Sequence, residues 1–270
     1  MEQSPIPYVK YDSILGRYFH HFRPRMLYME REPLVDFDKK IMLFWSQKSG
    51  CTSAIKWLFR GMGILEEALA HNPWMHEYRM WVYYDKFRWY DRFPKAFWDE
   101  DYLRIRVVRN PFYRCVSGYV HLLKHRDIYA PHLTEEVTFV EYLEWLGTQD
   151  LDWFDGHFSR QNLNILGHQQ EGIQEIVHLE DLADELNRIN AQYGLNNPYT
   201  DDLSESRHHY RQEDADRDGE ATHHWPGTRV RAEKPAHVRF WRDPEVVEQV
   251  VALYESDFGP FGYATTPEGI

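Results

Sequence analysis

Apolar and polar positions alternate in blocks along the chain. Ile41-Met-Leu-Phe-Trp45 is a continuous apolar run, as expected of a strand covered on both faces of a parallel sheet. Ser46 to Gly50 is polar and includes a glycine, which predicts a tight loop. From Thr52 to Phe59 the apolar residues Ala54, Ile55, Leu58 and Phe59 recur at helical spacing. Strand, loop and helix in that order open an α/β unit. Tyr102 to Val108 predicts a second strand, broken by Asn110-Pro111, and Phe112, Cys115, Val116, Tyr119 and Leu123 then mark a helix. Thr138 with Glu141 predicts a capping box for a helix to Leu146. Ile176 to Leu179 predicts a third strand, followed by a helix from Leu182 to about Gln192 and a terminating Gly194. Asp243-Pro244 predicts the start of a last helix reaching about Asp257.

This alternation predicts one α/β domain over residues 1–270, with a mostly parallel sheet flanked by helices. Residues 1–38 contain Pro5, Pro7, Pro24 and Pro33 and read as an irregular arm. Residues 200–236 are polar and His-rich and read as a long loop.

Composition narrows the function classes. The chain has 270 residues, 43% of them hydrophobic, enough for a sizeable core. Its formal charge of −12 disfavours a nucleic-acid coat protein. Two cysteines exclude a disulfide scaffold and a four-cysteine zinc module. No signal peptide and no apolar run long enough to span a membrane is visible. The chain therefore reads as soluble and, most simply, cytoplasmic.

The loop Ser46-Gln-Lys-Ser-Gly-Cys-Thr-Ser53 falls where α/β sheets bind ligands, beyond the carboxyl end of a strand. Gly50 permits a tight turn, and the following helix offers free N–H groups and the positive end of its dipole to an anion. Lys48, Ser49, Thr52 and Ser53 add side-chain donors. An ordinary βα turn whose Ser and Thr cap the helix has a similar composition. The loop is not a nucleotide-triphosphate Walker loop, because Lys48 precedes its only glycine. It is not a cysteine phosphatase loop either, because Trp57 stands where the phosphate-binding arginine is needed.

A second basic segment follows. Arg104, Arg106, Arg109 and Arg114 crowd into one stretch of an acidic chain. Arg109 falls at the predicted strand's end, on the same edge as the first loop, and Ser117 lies two turns along the next helix. Together they could fork around a second phosphate, although a surface salt-bridge cluster would also explain the arginines.

Together, Trp45-Ser-Gln-Lys-Ser-Gly-Cys-Thr-Ser53 and Val108-Arg-Asn-Pro-Phe-Tyr-Arg-Cys-Val-Ser117 resemble the two nucleotide motifs of the sulfotransferases that use 3′-phosphoadenosine-5′-phosphosulfate (PAPS), especially the carbohydrate-modifying branch. Gly156-His-Phe-Ser-Arg-Gln161, Ile176 to Asp181 and Leu253 to Tyr263 are weaker echoes. The resemblance implies a single α/β domain with a P-loop-like parallel sheet. It implies that Lys48, Ser49, Gly50, Cys51, Thr52 and Ser53 wrap the 5′-phosphosulfate, and that Arg109 and Ser117 hold the 3′-phosphate. It implies in-line sulfuryl transfer to a hydroxyl acceptor, a carbohydrate in the branch most resembled, without a metal and with PAP as product. It also implies catalytic roles for Lys48 and for a base between the motifs. His76 is the base expected, with His71, Glu66 and Glu77 as rivals. His157 could contact the acceptor or a backbone carbonyl, with packing as the default reading. His208-His209 and His223-His224 lack the geometry of a zinc site. Arg229, Arg231, Lys234 and Arg239 form a late basic stretch with no assigned role. Two other readings remain open at this point: a kinase with an aberrant phosphate loop, and a non-catalytic nucleotide-binding module.

Overall fold

The protein is described from a computed structural model, which describes residues 32–152, 154–162, 172–203 and 219–267. Among the described residues the sheet has four strands in sequential order: β1 (Leu34–Asp36), β2 (Ile41–Trp45), β3 (Leu103–Val108) and β4 (Glu175–His178). β1 runs antiparallel to β2, and β2, β3 and β4 are parallel. The carboxyl ends of three strands therefore line one edge, where Ser46, Arg109 and Leu179 begin the connections.

The helices are α1 (Cys51–Gly61), α2 (Leu65–His71), α3 (Met75–Tyr78), α4 (Tyr84–Lys86), α5 (Trp89–Phe97), α6 (Pro111–Tyr129), α7 (Phe139–Gly147), α8 (Leu182–Tyr193), α9 (Gly227–Glu233), α10 (Pro244–Leu253) and α11 (Glu255–Phe258). A π-helical turn, Arg79–Tyr83, joins α3 to α4. Caps fix several starts as the sequence predicts. Asn110 accepts from the Phe112 amide ahead of α6, Thr138 and Glu141 complete a capping box on α7, and Asp243 accepts from the Glu245 amide on α10. Gly194 ends α8 in the left-handed region, at φ 62°.

Two apolar cores hold these elements. The first packs all four strands against α1 to α5 and α8, through residues such as Leu43, Trp57, Tyr83, Ile105 and Leu186. The second gathers α6, α7, α10 and α11 around Phe112, Tyr119, Phe139, Tyr142 and Phe258. β2 is buried at every position, as its unbroken apolar run predicts.

Three expectations change. Residues 34–36 belong to the sheet rather than to an irregular arm. β1 is too short to show periodicity, and it is held by pairing with β2 and by the Tyr83 hydroxyl, which accepts from the Val35 amide at 2.7 Å. The 200–236 stretch contains the 3₁₀ turn Asp201–Leu203 and helix α9. α9 shows little apolar periodicity because only Gly227 and Val230 are buried. A Cβ at Gly227 would meet the Glu135 carbonyl at 2.7 Å, so this helix sits tight against its neighbour. The expected last helix is two, α10 and α11, broken at Tyr254 (φ −118°). His208 and His209 lie outside the described residues.

Candidate active site

The loop after β2 reverses through two left-handed residues, Lys48 (φ 68°) and Gly50 (φ 73°). A left-handed lysine stores backbone strain of the kind found at ligand clamps. At Gly50 a side chain is excluded outright, because a Cβ would meet Leu179 Cδ1 at 2.1 Å. The start of α1 carries no side-chain cap, and a helix start turns backbone amides and the positive end of its dipole toward the loop.

Arg109 begins the connection after β3. Its guanidinium donates to the Lys48 carbonyl at 3.1 Å, joining the two anion segments directly. Burial lowers its pKa, with nearby Arg114 adding to the effect and Glu180 opposing it. Lys48 is pushed down to about 8, first by burial, then by Arg109, Lys124 and Arg114, against the opposing pull of Cys51. Several cations crowd the strand edge of an acidic protein, and their mutual repulsion is relieved by an anion.

A third segment binds the first two together. Gln161 is fully buried. Its Oε1 accepts from the Ser49 hydroxyl at 2.7 Å and from the Arg109 amide at 2.9 Å, and its Nε2 donates to the Arg109 carbonyl at 2.7 Å. Asp257, also fully buried, accepts from the amides of Gln161 and Asn162. Arg114 forks across the same junction and donates to the carbonyls of Gln47 (3.0 Å), Ser159 (2.5 Å) and Gly156 (2.9 Å).

The residues expected at the site are placed as follows. Lys48, Gly50, Cys51 and Thr52 line the loop and the start of α1, partly exposed. Ser49 is buried with its hydroxyl on Gln161, and Ser53 is buried with its hydroxyl hydrogen-bonded to Tyr199. These two serines therefore spend their side chains on the protein and offer a ligand only backbone. Ser117 is partly exposed on α6, on the same helical stripe as Tyr113 and His121. The Arg109 guanidinium carbon lies 5.9 Å from the Tyr113 ring centroid, and His121 lies in the field of Lys48, so this stripe runs along the site.

Among the expected bases, His76 is the one held against the loop: its Nε2 lies 3.2 Å from Cys51 Sγ. Glu77 bonds to Asn72. Glu66 and His71 are exposed, and the His71 ring packs on Tyr78. Arg229 and Arg239 flank the Trp225 ring at 3.5 and 4.7 Å. His223 lies 3.5 Å from Asp243. Among the described residues no group of three or more His, Cys, Asp or Glu could hold a metal ion, and no helix is long and apolar enough to cross a membrane.

Sequence reasoning passed over Gln161, Arg114 and Asp257 as site builders. It also passed over His237, which sits beside Arg109 with its ring 5.3 Å from Tyr113. Burial and the Arg109 charge push its pKa down to about 3. Arg114 stands inside the second motif, Gln161 at the end of one weak echo and Asp257 inside another, but none of them was assigned a role there, and His237 falls in none of these segments.

Fold and site together define an α/β protein in which two basic segments at the carboxyl ends of neighbouring parallel strands are hydrogen-bonded into one unit. A family model described as the sulfotransferase family matches residues 31–264, and the chain belongs to that family. Sulfuryl transfer is thus its class of chemistry. No curated protein and no solved structure matches the chain.

Proposed function

We propose that the protein transfers the sulfuryl group of PAPS to a hydroxyl of a carbohydrate acceptor and releases PAP. The observation that carries this reading is the Arg109 to Lys48 hydrogen bond, backed by the shared Gln161 bridge. It makes two anion sites on two strands into one rigid cradle, suited to a ligand with separated 3′ and 5′ anions. The donor set fits such a ligand: helix amides and Lys48 on one side, a half-buried arginine on the other, and no lysine after the glycine for a triphosphate.

When bound, PAPS supplies the sulfuryl group and a 5′-phosphate leaving group. Lys48 and the α1 amides stabilise the charge that grows on the 5′ side. Arg109 and Ser117 hold the 3′-phosphate, and His76 takes the acceptor hydroxyl's proton. The carbohydrate assignment rests on the K-S-G-C-T-S form of the loop. Thermal shift with PAP, AMP and ATP tests the cradle. PAP at a hundred times its Kd should stabilise the protein by about 2.7 kcal/mol, without magnesium. Equal stabilisation by PAP and AMP, or a magnesium requirement, would overturn the reading.

A further inference from the structure

A second imidazole group stands beside the loop, supplied by the middle of α6 and the turn at 155–157. Arg114 ties that turn to the Gln47 carbonyl through Gly156. A Cβ on Gly156 would meet the Gln47 carboxamide at 2.3 Å, so the turn lies directly against the residue before Lys48. Asp155 Oδ1 accepts twice from the same residue: from the His157 amide at 2.9 Å and from His157 Nδ1 at 2.5 Å. A carboxylate on Nδ1 fixes the tautomer with its lone pair on Nε2.

The His157 ring lies flat on His121, with centroids 4.0 Å apart and planes at 14°. His125 adds a third ring 4.5 Å from His121, and the Tyr129 hydroxyl lies 3.4 Å from His121 Nε2. Burial first, then the electrostatic influence of His157, Lys48, His125 and Lys124, holds the His121 pKa down to about 2. His121 is thus a neutral slab at working pH. The His157 and Asp155 side chains remain 20% and 36% exposed. A packing role would require neither a carboxylate partner nor this placement.

We propose that His157, oriented by Asp155 and backed by His121, contacts the acceptor: its Nε2 accepts a hydrogen bond from a hydroxyl other than the one that is sulfated. The proposal rests on the sulfuryl-transfer reading and deepens it. It makes the acceptor a polyol, read through two hydroxyls by two imidazoles, His76 for the reacting one and His157 for its neighbour.

The test uses radiolabelled PAPS, a set of methyl glycosides and their singly deoxygenated analogues. His157→Ala and Asp155→Asn should leave the PAP thermal shift in place and raise the glycoside KM about tenfold, the worth of one good hydrogen bond. One deoxy analogue should show the same loss with the unaltered enzyme and no further loss with His157→Ala. His157→Gln, which keeps an acceptor oxygen, should recover part of the KM, and His157→Phe, which keeps only the slab, should not. Recovery by Phe, or an unchanged KM in His157→Ala, overturns the proposal. Absence of PAP binding, or of transfer to any glycoside, would instead sink the functional reading. In that case the histidine ¹⁵N spectrum still decides. A proton on Nδ1 of His157, lost from that position in Asp155→Asn, upholds the dyad, and a proton on Nε2 overturns it.

Discussion

Gln161 and Arg109 exchange a pair of hydrogen bonds: the Gln161 carboxamide takes the Arg109 amide at 2.9 Å and gives to the Arg109 carbonyl at 2.7 Å. A side chain thereby completes, for one residue, the pairing that a further strand would otherwise give. Because the same oxygen accepts from Ser49, the position of Arg109 is mechanically tied to that of the loop after β2.

Replacing Gln161 should therefore injure both halves at once. Gln161→Leu keeps the bulk but leaves the Ser49 hydroxyl and the Arg109 amide and carbonyl without this partner, at about 1–3 kcal/mol for each group left buried and unsatisfied. Chemical denaturation should show that loss, and PAP affinity should fall with it. Unchanged PAP affinity in a destabilised variant would mean that the bridge supports the fold and not the cradle.

Gly50 should tolerate no side chain. Gly50→Ala places a Cβ against Leu179 Cδ1 and holds alanine at φ 73°, where backbone strain alone costs about 1–2 kcal/mol. Leu179→Ala should relieve the clash but not the strain. A double-mutant cycle should then give a favourable coupling, with Gly50→Ala still destabilising in the Leu179→Ala background. Strict additivity would rule out the contact.

Lys48 should trade stability for function. Its folded pKa, about 8, lies below the ordinary 10.5. Between those values the unfolded chain binds more protons, so stability rises with pH across that window, and at pH 7 the charged lysine is a burden. Lys48→Met should raise the Tm of the nucleotide-free protein, by about 2–4 °C for each kcal/mol relieved, while nearly abolishing turnover. PAP binding by the unaltered protein should weaken as pH passes 8, because the ammonium that meets the anion is then lost. Calorimetry at several pH values checks both signs.

Arg109 and Lys48 should separate kinetically. In the proposed reading Arg109 meets a phosphate that does not react, so Arg109→Ala should mainly weaken nucleotide binding, by about 1.5–3 kcal/mol. Lys48→Ala should mainly lower kcat, because its charge matters most as the leaving phosphate becomes negative. A Lys48→Ala variant with full turnover and weakened binding alone would falsify that division.

The parts of this molecule legible in its sequence are those that local chemistry dictates. β2 announces itself by a run with no polar residue, α6 by Asn110-Pro111, and the loop by a glycine that no other residue could replace. Arg109 is legible because it follows directly on a strand, and Lys48 because it stands in the short loop between β2 and α1. What the sequence conceals is long-range. Ser49 and Gln161 meet across 112 positions, and nothing near either marks the other. Arg114 reads as a surface charge until the fold brings three carbonyls to it. β1 has no pattern because a three-residue strand is held by its neighbours. Ser49 and Ser53 look like ligand donors in a motif, yet the fold turns their hydroxyls onto Gln161 and Tyr199.

His76 provides the decisive prediction for the chemistry. It sits in α3, just before the π-helical turn at Arg79–Tyr83, and π-turns inside helical segments frequently accompany functional sites. Cys51 Sγ, at the first position of α1, lies 3.2 Å from His76 Nε2, so the imidazole touches the residue whose amide helps to form the anion cradle. A neutral imidazole can accept the acceptor's proton as the hydroxyl attacks sulfur. His76→Ala should lower kcat by about 10²–10⁴-fold, the ordinary range for one acid–base group, with PAP binding nearly unchanged. The acid limb of the pH–rate profile should disappear with it. Cys51→Ala should cost far less, because it removes a neighbour and not the base. If His76→Ala retains its acid limb, the proton goes elsewhere, and His157 becomes the residue to test as base.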